Sequence, residues 1–127
     1  MMNAINTTSA PAAIGPYVQG VDLGSIVITS GQLPINPESK VIPEGVAEQT
    51  TQSLNNALAI VKESGLEAKN IVKTMVFVKD LNDFALVNAA YEAFFTDNEA
   101  PFPARSCVEV ARLPLDVKVE IEVMALR

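Results

Sequence analysis

The sequence has no histidine and only one cysteine, Cys107, in 127 residues. The first absence rules out a Ser/His/Asp or Cys/His relay and any imidazole-ligated metal site. Any catalysis must then use carboxylates, arginine, tyrosine, backbone groups and water, with no transition-metal site expected. The lone cysteine rules out an internal disulfide and accords with a reducing cytoplasm. Positive charge is scarce too: 9 Lys plus Arg stand against 15 Asp plus Glu, a formal net charge of -6. That leaves no basic stripe for a phosphate backbone, so nucleic acid is not an expected partner, and the acidity favours solubility. No run reaches the roughly 18 apolar residues of a membrane span, and the opening MMNAINTTSAPAAIGP lacks the basic and apolar regions of an export signal. A soluble, cytoplasmic protein with no membrane partner is expected.

Hydrophobic residues make up 49% of the chain. At this length that suits one domain over residues 1–127, burying roughly two thirds of its unfolded surface. YVQGV (17–21) and SIVITSGQL (25–33) read as two strands joined by a short turn. The three prolines of PINPESKVIPEG (34–45) read as an irregular loop. From 46 to 64, Val46, Leu54, Leu58 and Val61 recur at helical spacing, with Gly65 placed as a left-handed stop. NIVKTMVFVKD (70–80) is β-branched and aromatic, so it reads as a central strand. A second helix is expected from Asn82, as N-cap, to Thr96, with Phe84, Val87, Tyr91, Phe94 and Phe95 on one face. Asn88 lies on that same side; it caps or bridges a loop, or it needs a polar partner.

ARSCVEVA (104–111) and VKVEIEVMALR (117–127) complete a ββαβαββ order and suggest a terminal antiparallel hairpin. Alternation puts Arg105, Cys107 and Glu109 on one face, and register pairs them with Glu122, Glu120 and Lys118. That face would also carry Met124, Leu126 and, from the central strand, Met75 and Phe77. With both helices on the other face, a second copy of the chain is expected to cover it, giving a homo-oligomer with Arg105 and Glu120 near the boundary. A guanidinium there needs a partner, either a cross-strand bridge to Glu122 or a bound carboxylate that fits its fork. Cys107, with no activating base, reads as an inert buried thiol. Glu120 reads equally as a solvated strand residue or a functional base.

The segments PARSCVEVARL, PLDVK and VEI, together with IGPYVQ, ITSGQLP and DLNDFALVNAAYEAFF, resemble in order and spacing the RidA (YjgF-like) family of reactive-intermediate deaminases. The resemblance implies an α+β, chorismate-mutase-like fold, a mixed β-sheet with two helices packed on one face, assembled as a homotrimer with intersubunit clefts. It also implies hydrolysis of the 2-iminobutanoate and 2-iminopropanoate released by pyridoxal-phosphate-dependent threonine and serine dehydratases, giving 2-oxo acids and ammonia with no metal and no cofactor of its own. Arg105 would grip the substrate carboxylate, while Glu120 and the main-chain carbonyl of Cys107 would hold and activate water. Tyr17, Ser30, Gly31 and Asn88 would line the cleft, and Phe84 would form an apolar wall. A non-catalytic 2-oxo acid sensor using the same arginine is the alternative; an RNA-cleaving role is disfavoured by the missing histidine and the negative charge.

Overall fold

The computed structural model describes residues 2–127. In chain order the elements are β1 (Asn3–Ile5), β2 (Gly20–Asp22), β3 (Ile26–Thr29), α1 (Val46–Glu63), β4 (Ile71–Val78), α2 (Phe84–Asp97), β5 (Ala104–Glu109) and β6 (Val119–Leu126). The sheet order is β1-β2-β3-β6-β4-β5, and only β4 and β5 run parallel. Both helices pack on one face, where Val27, Val76, Val78, Val119, Ile121, Val123 and Ala125 meet Leu54, Ala57, Val61, Val87 and Phe95. Edge strand β1 carries no period-2 signal of its own and went unpredicted. Among the described residues no helix is long and apolar enough to cross a membrane.

The helix ends follow from local chemistry. Gly65 adopts φ 89°, the left-handed region that a side chain would penalise. Its N–H bonds the Lys62 carbonyl, and the N–H of buried Leu66 bonds that of Val61, which satisfies two carbonyls at the α1 C-terminus. At the other helix the expected start shifts. A 3-10 turn over Leu81–Asp83 precedes α2, and the Asp80 carboxylate, rather than an Asn82 cap, accepts the Asn82 N–H.

The expected terminal hairpin does not form. β4, α2 and β5 make a βαβ crossover that lays β5 along one edge of β4, and β6 takes the other edge. The connection between β5 and β6 passes the end of β4 through Leu115 and Asp116 at φ 58° and 55°, so it is not a two-residue hairpin turn. Arg105 and Cys107 therefore lie beside Thr74 and Val76, both fully buried under the helices. Glu120, Glu122 and Met124 lie beside Phe77, Met75 and Lys73 on the opposite face. None of the pairs Arg105–Glu122, Cys107–Glu120 or Glu109–Lys118 exists. Glu109 instead accepts the Leu81 N–H, and the Lys118 ammonium donates to the Glu44 carbonyl. Cys107 leaves the second face and packs against the helix-side core. Met75, Phe77 and Met124 are half-buried and Leu126 is exposed on that face, as expected, and no helix covers them. Val108, on the strand face opposite Arg105 and Cys107 and so expected in the core, lies beside Phe77 on this face instead and is exposed.

Candidate functional site

The eight singled-out residues gather in two clusters on opposite faces of the sheet. On the helix side stands Arg105, half-buried near the start of β5. It donates through Nη1 to Asn88 Oδ1 at 2.8 Å, so the polar residue on the apolar side of α2 has found its partner. Its Cζ lies 5.5 Å from the Phe84 ring centroid and 4.8 Å from that of Tyr91. Phe84 is 39% exposed because its ring covers the guanidinium rather than the core. Asn88, Tyr91, Glu92, Phe102, Pro103 and Arg105 line an open cleft of about 360 Å³. Among the described residues no carboxylate lies within ion-pair distance of Arg105, whereas Arg112 and Arg127 pair with Asp116 and Asp22. Most of its fork is thus free to receive an anion.

Cys107 sits two residues along the same strand. Burial raises its pKa above the usual thiol value, and the nearby Arg105 charge opposes this only in part. Its backbone is placed differently. The Val110 N–H bonds the Val78 carbonyl, so the even-numbered residues of this run point their peptide groups at β4. By alternation the Cys107 carbonyl points away from β4, and β5 is the last strand of the sheet, so that carbonyl faces an open edge. We expect Cys107→Ser to keep most of the catalytic rate in an imine-hydrolysis assay, since the thiol is protonated at neutral pH. Loss of activity in a folded variant would point instead to thiol chemistry.

The second cluster forms where β3 leaves regular pairing with β6. Ile28 opposes Met124 and Gln32 opposes Ile121, so four steps on one strand face three on the other. This extra residue is a bulge, a device that re-aims side chains beside active sites. Thr29 offsets the disruption by accepting the Val123 N–H on Oγ1 at 3.1 Å. Ser30 takes up the next pairing position, its N–H bonding the Gln19 carbonyl and its hydroxyl the Val18 carbonyl, which ties down the Tyr17 segment. Gly31 passes directly under the Glu120 carboxylate, and a β-carbon there would collide with it.

Around this bulge Tyr17, Ser30, Gly31 and Glu120 share a cavity of about 540 Å³. The sequence reading did not identify its other walls, which include Ile14, Leu33, Pro114 and Leu115. Buried Gln19 also borders it and fastens the preceding loop through Thr7, Ala10 and Pro11. Burial, and then repulsion from Glu122, raises the Glu120 pKa above the ordinary glutamate value. A carboxylate so placed is a better proton acceptor near neutral pH. Among the described residues no three His, Cys, Asp or Glu side chains converge as metal ligands.

A family model described as endoribonuclease L-PSP matches residues 7–127. The chain belongs to this family, the RidA (YjgF) group. Its curated relatives include the 2-iminobutanoate/2-iminopropanoate deaminase of Escherichia coli K12, 66% identical over 127 residues and covering 100% of this chain and 99% of that protein. The crystal structure of the E. coli YjgF gene product superposes with a TM-score of 0.97 at 66% identity, covering 98% of each chain. E. coli TdcF, solved with bound serine, gives 0.97 at 55% identity, again over 98% of each. These RidA-family structures share the mixed six-stranded sheet and two helices described above.

Proposed function

We propose that this RidA-family protein is a 2-iminobutanoate/2-iminopropanoate deaminase that acts without a cofactor, in the cytoplasm, at sites shared between the copies of a homotrimer. The observation that carries the reading is the Arg105 fork with no carboxylate partner, its Cζ over the Phe84 and Tyr91 rings and one nitrogen braced by Asn88. A half-buried guanidinium with no carboxylate partner is a receptor for one, and its planar donors match a 2-imino acid's carboxylate in two-point contact. The bound serine of TdcF, also a small amino-acid carboxylate, and the activity for which the E. coli K12 relative is named point the same way.

Arg105 and Glu120 lie on opposite sheet faces, so one copy cannot bring both to a small substrate. The uncovered second face supplies the reason for copies to associate, since Met75, Phe77, Val108 and Met124 lose water when another chain packs there. In the assembled site Arg105 of one copy holds the carboxylate. Water rests between the Cys107 carbonyl at the open edge and Glu120 of the next copy. It adds to the carbon of the protonated imine and gives a proton to Glu120, forming a neutral carbinolamine. Glu120 returns that proton to the amine nitrogen, the C–N bond breaks, and the hydroxyl proton passes to the departing ammonia, so ammonium and the 2-oxo acid leave. Proximity and general acid-base catalysis supply the acceleration.

RNA cleavage, which the family model's description names, finds little support: the two clefts hold a single cation, Arg105, in a chain of net charge -6.

The direct test couples the purified protein to a threonine dehydratase and follows release of 2-oxobutanoate from the imine. Catalytic amounts should accelerate it. If they do not while 2-oxobutanoate still binds, the protein is a ligand sensor. The shared site has its own test. Arg105→Ala and Glu120→Gln proteins, each nearly inactive, should regain activity when unfolded together and refolded, because mixed trimers recreate one intact junction. A random mixture should reach about a quarter of the wild-type rate. A mixture no more active than its components would place both groups in one copy's site and overturn the arrangement.

A further inference from the structure

We propose that Tyr91 is a positioning residue for substrate binding, a buried aromatic shelf that fixes the plane of the Arg105 guanidinium and is itself locked by Thr74. The proposal rests on Arg105 being the carboxylate receptor.

Tyr91 is 5% exposed and its ring lies 4.8 Å below the Arg105 Cζ, nearer than Phe84 at 5.5 Å. Its hydroxyl is 2.7 Å from Thr74 Oγ1 in a fully buried contact. Thr74 is also the cross-strand neighbour of Arg105 in the β4–β5 ladder, so the strand that sets the arginine's backbone also sets the shelf under its side chain. Phe95, 4.9 Å from Tyr91 and tilted 50°, backs the ring from the core. Burial raises the Tyr91 pKa, so the phenol stays neutral and keeps its bond to Thr74. Asn88 fixes one terminal nitrogen of the guanidinium, and one hydrogen bond still permits rotation about it. A stacked ring removes that freedom, since a guanidinium tilted out of the plane loses contact with the ring face. Two-point capture depends on that plane, whereas water activation at Glu120 does not.

The effect should therefore appear in binding. Tyr91→Leu is expected to raise KM for the imine by about tenfold or more with kcat within about twofold, the signature of lost uniform binding. The Kd for 2-oxobutanoate, measured by calorimetry, should weaken in parallel. Tyr91→Phe keeps the shelf but frees its lock, so its KM should lie between wild type and Tyr91→Leu; it also covers the case in which the leucine variant does not fold. Wild-type KM and Kd in a folded Tyr91→Leu, or a fall in kcat with KM unchanged, would overturn the proposal. If the wild-type protein fails to hydrolyse imine, the deaminase reading falls, and the 2-oxobutanoate Kd of the same variants still decides the role of Tyr91.

Discussion

Arg105→Ala is expected to abolish measurable 2-oxobutanoate binding and, with it, deamination. The substitution deletes a charge-assisted two-point contact, worth about 3 to 6 kcal/mol for two hydrogen bonds to a charged group. Affinity should therefore fall by more than about a hundredfold. The fold should survive, because Arg105 is half-buried and its one hydrogen bond goes to Asn88, which water can reach once the side chain is gone. Arg105→Lys should restore little, since an ammonium reproduces neither the fork nor the broad contact of a guanidinium with the Tyr91 and Phe84 rings. Calorimetry decides the matter: near-wild-type affinity in Arg105→Ala would mean that the carboxylate is bound elsewhere.

Glu120→Gln should give the complementary result. It keeps the shape of the side chain over Gly31 and removes the proton acceptor, so ligand should still bind while kcat falls by about a hundredfold or more. The pH dependence has a fixed sign. Glu120 must be ionised to take a proton from water, and both burial and Glu122 raise its pKa. The acid limb of the wild-type kcat profile should therefore lie above the ordinary glutamate value of about 4.3, and Glu122→Gln should move it to lower pH. Stability runs the other way. A carboxyl whose folded pKa is raised favours folding below its unfolded pKa, and that contribution is lost as pH rises through the folded pKa. Glu120→Gln should thus melt higher than wild type at pH 8, with the gap closing as the pH falls toward the acid range. A wild-type turnover rate in Glu120→Gln would remove Glu120 from the chemistry.

Much of this was legible in the sequence, for identifiable reasons. The run from Val46 to Gly65 carries a helical period and its stop signal, and NIVKTMVFVKD carries a strand's composition, so local chemistry alone placed both. The pairing of β5 was not legible. Strand alternation gives the faces of a single strand, but the partner is chosen by the crossover through α2, which no local pattern records. That error put Arg105 on the same face as Glu120, when the two stand on opposite faces of the sheet. Tyr91 was legible as a buried helix residue, and only the fold shows that its upper face meets a guanidinium. The cavity walls at Ile14, Leu33 and Leu115 come from three loops with no common period, so no spacing could have joined them.

The extra residue at Ser30 and Gly31 bears on how such a protein can be improved or damaged. Removing it would let β3 run on against β6 in register and would free Thr29 from filling the gap, so the sheet would be more regular. The same change would turn Ser30 away from the Val18 carbonyl and take the glycine out from under Glu120. Redesign that rewards only ideal strand geometry would therefore tend to erase the bulge, trading turnover for a higher melting temperature. Selection on activity would have to keep the irregular ladder despite its cost to the sheet, because the flaw in the hydrogen-bond pattern and the place proposed for water activation are the same few residues.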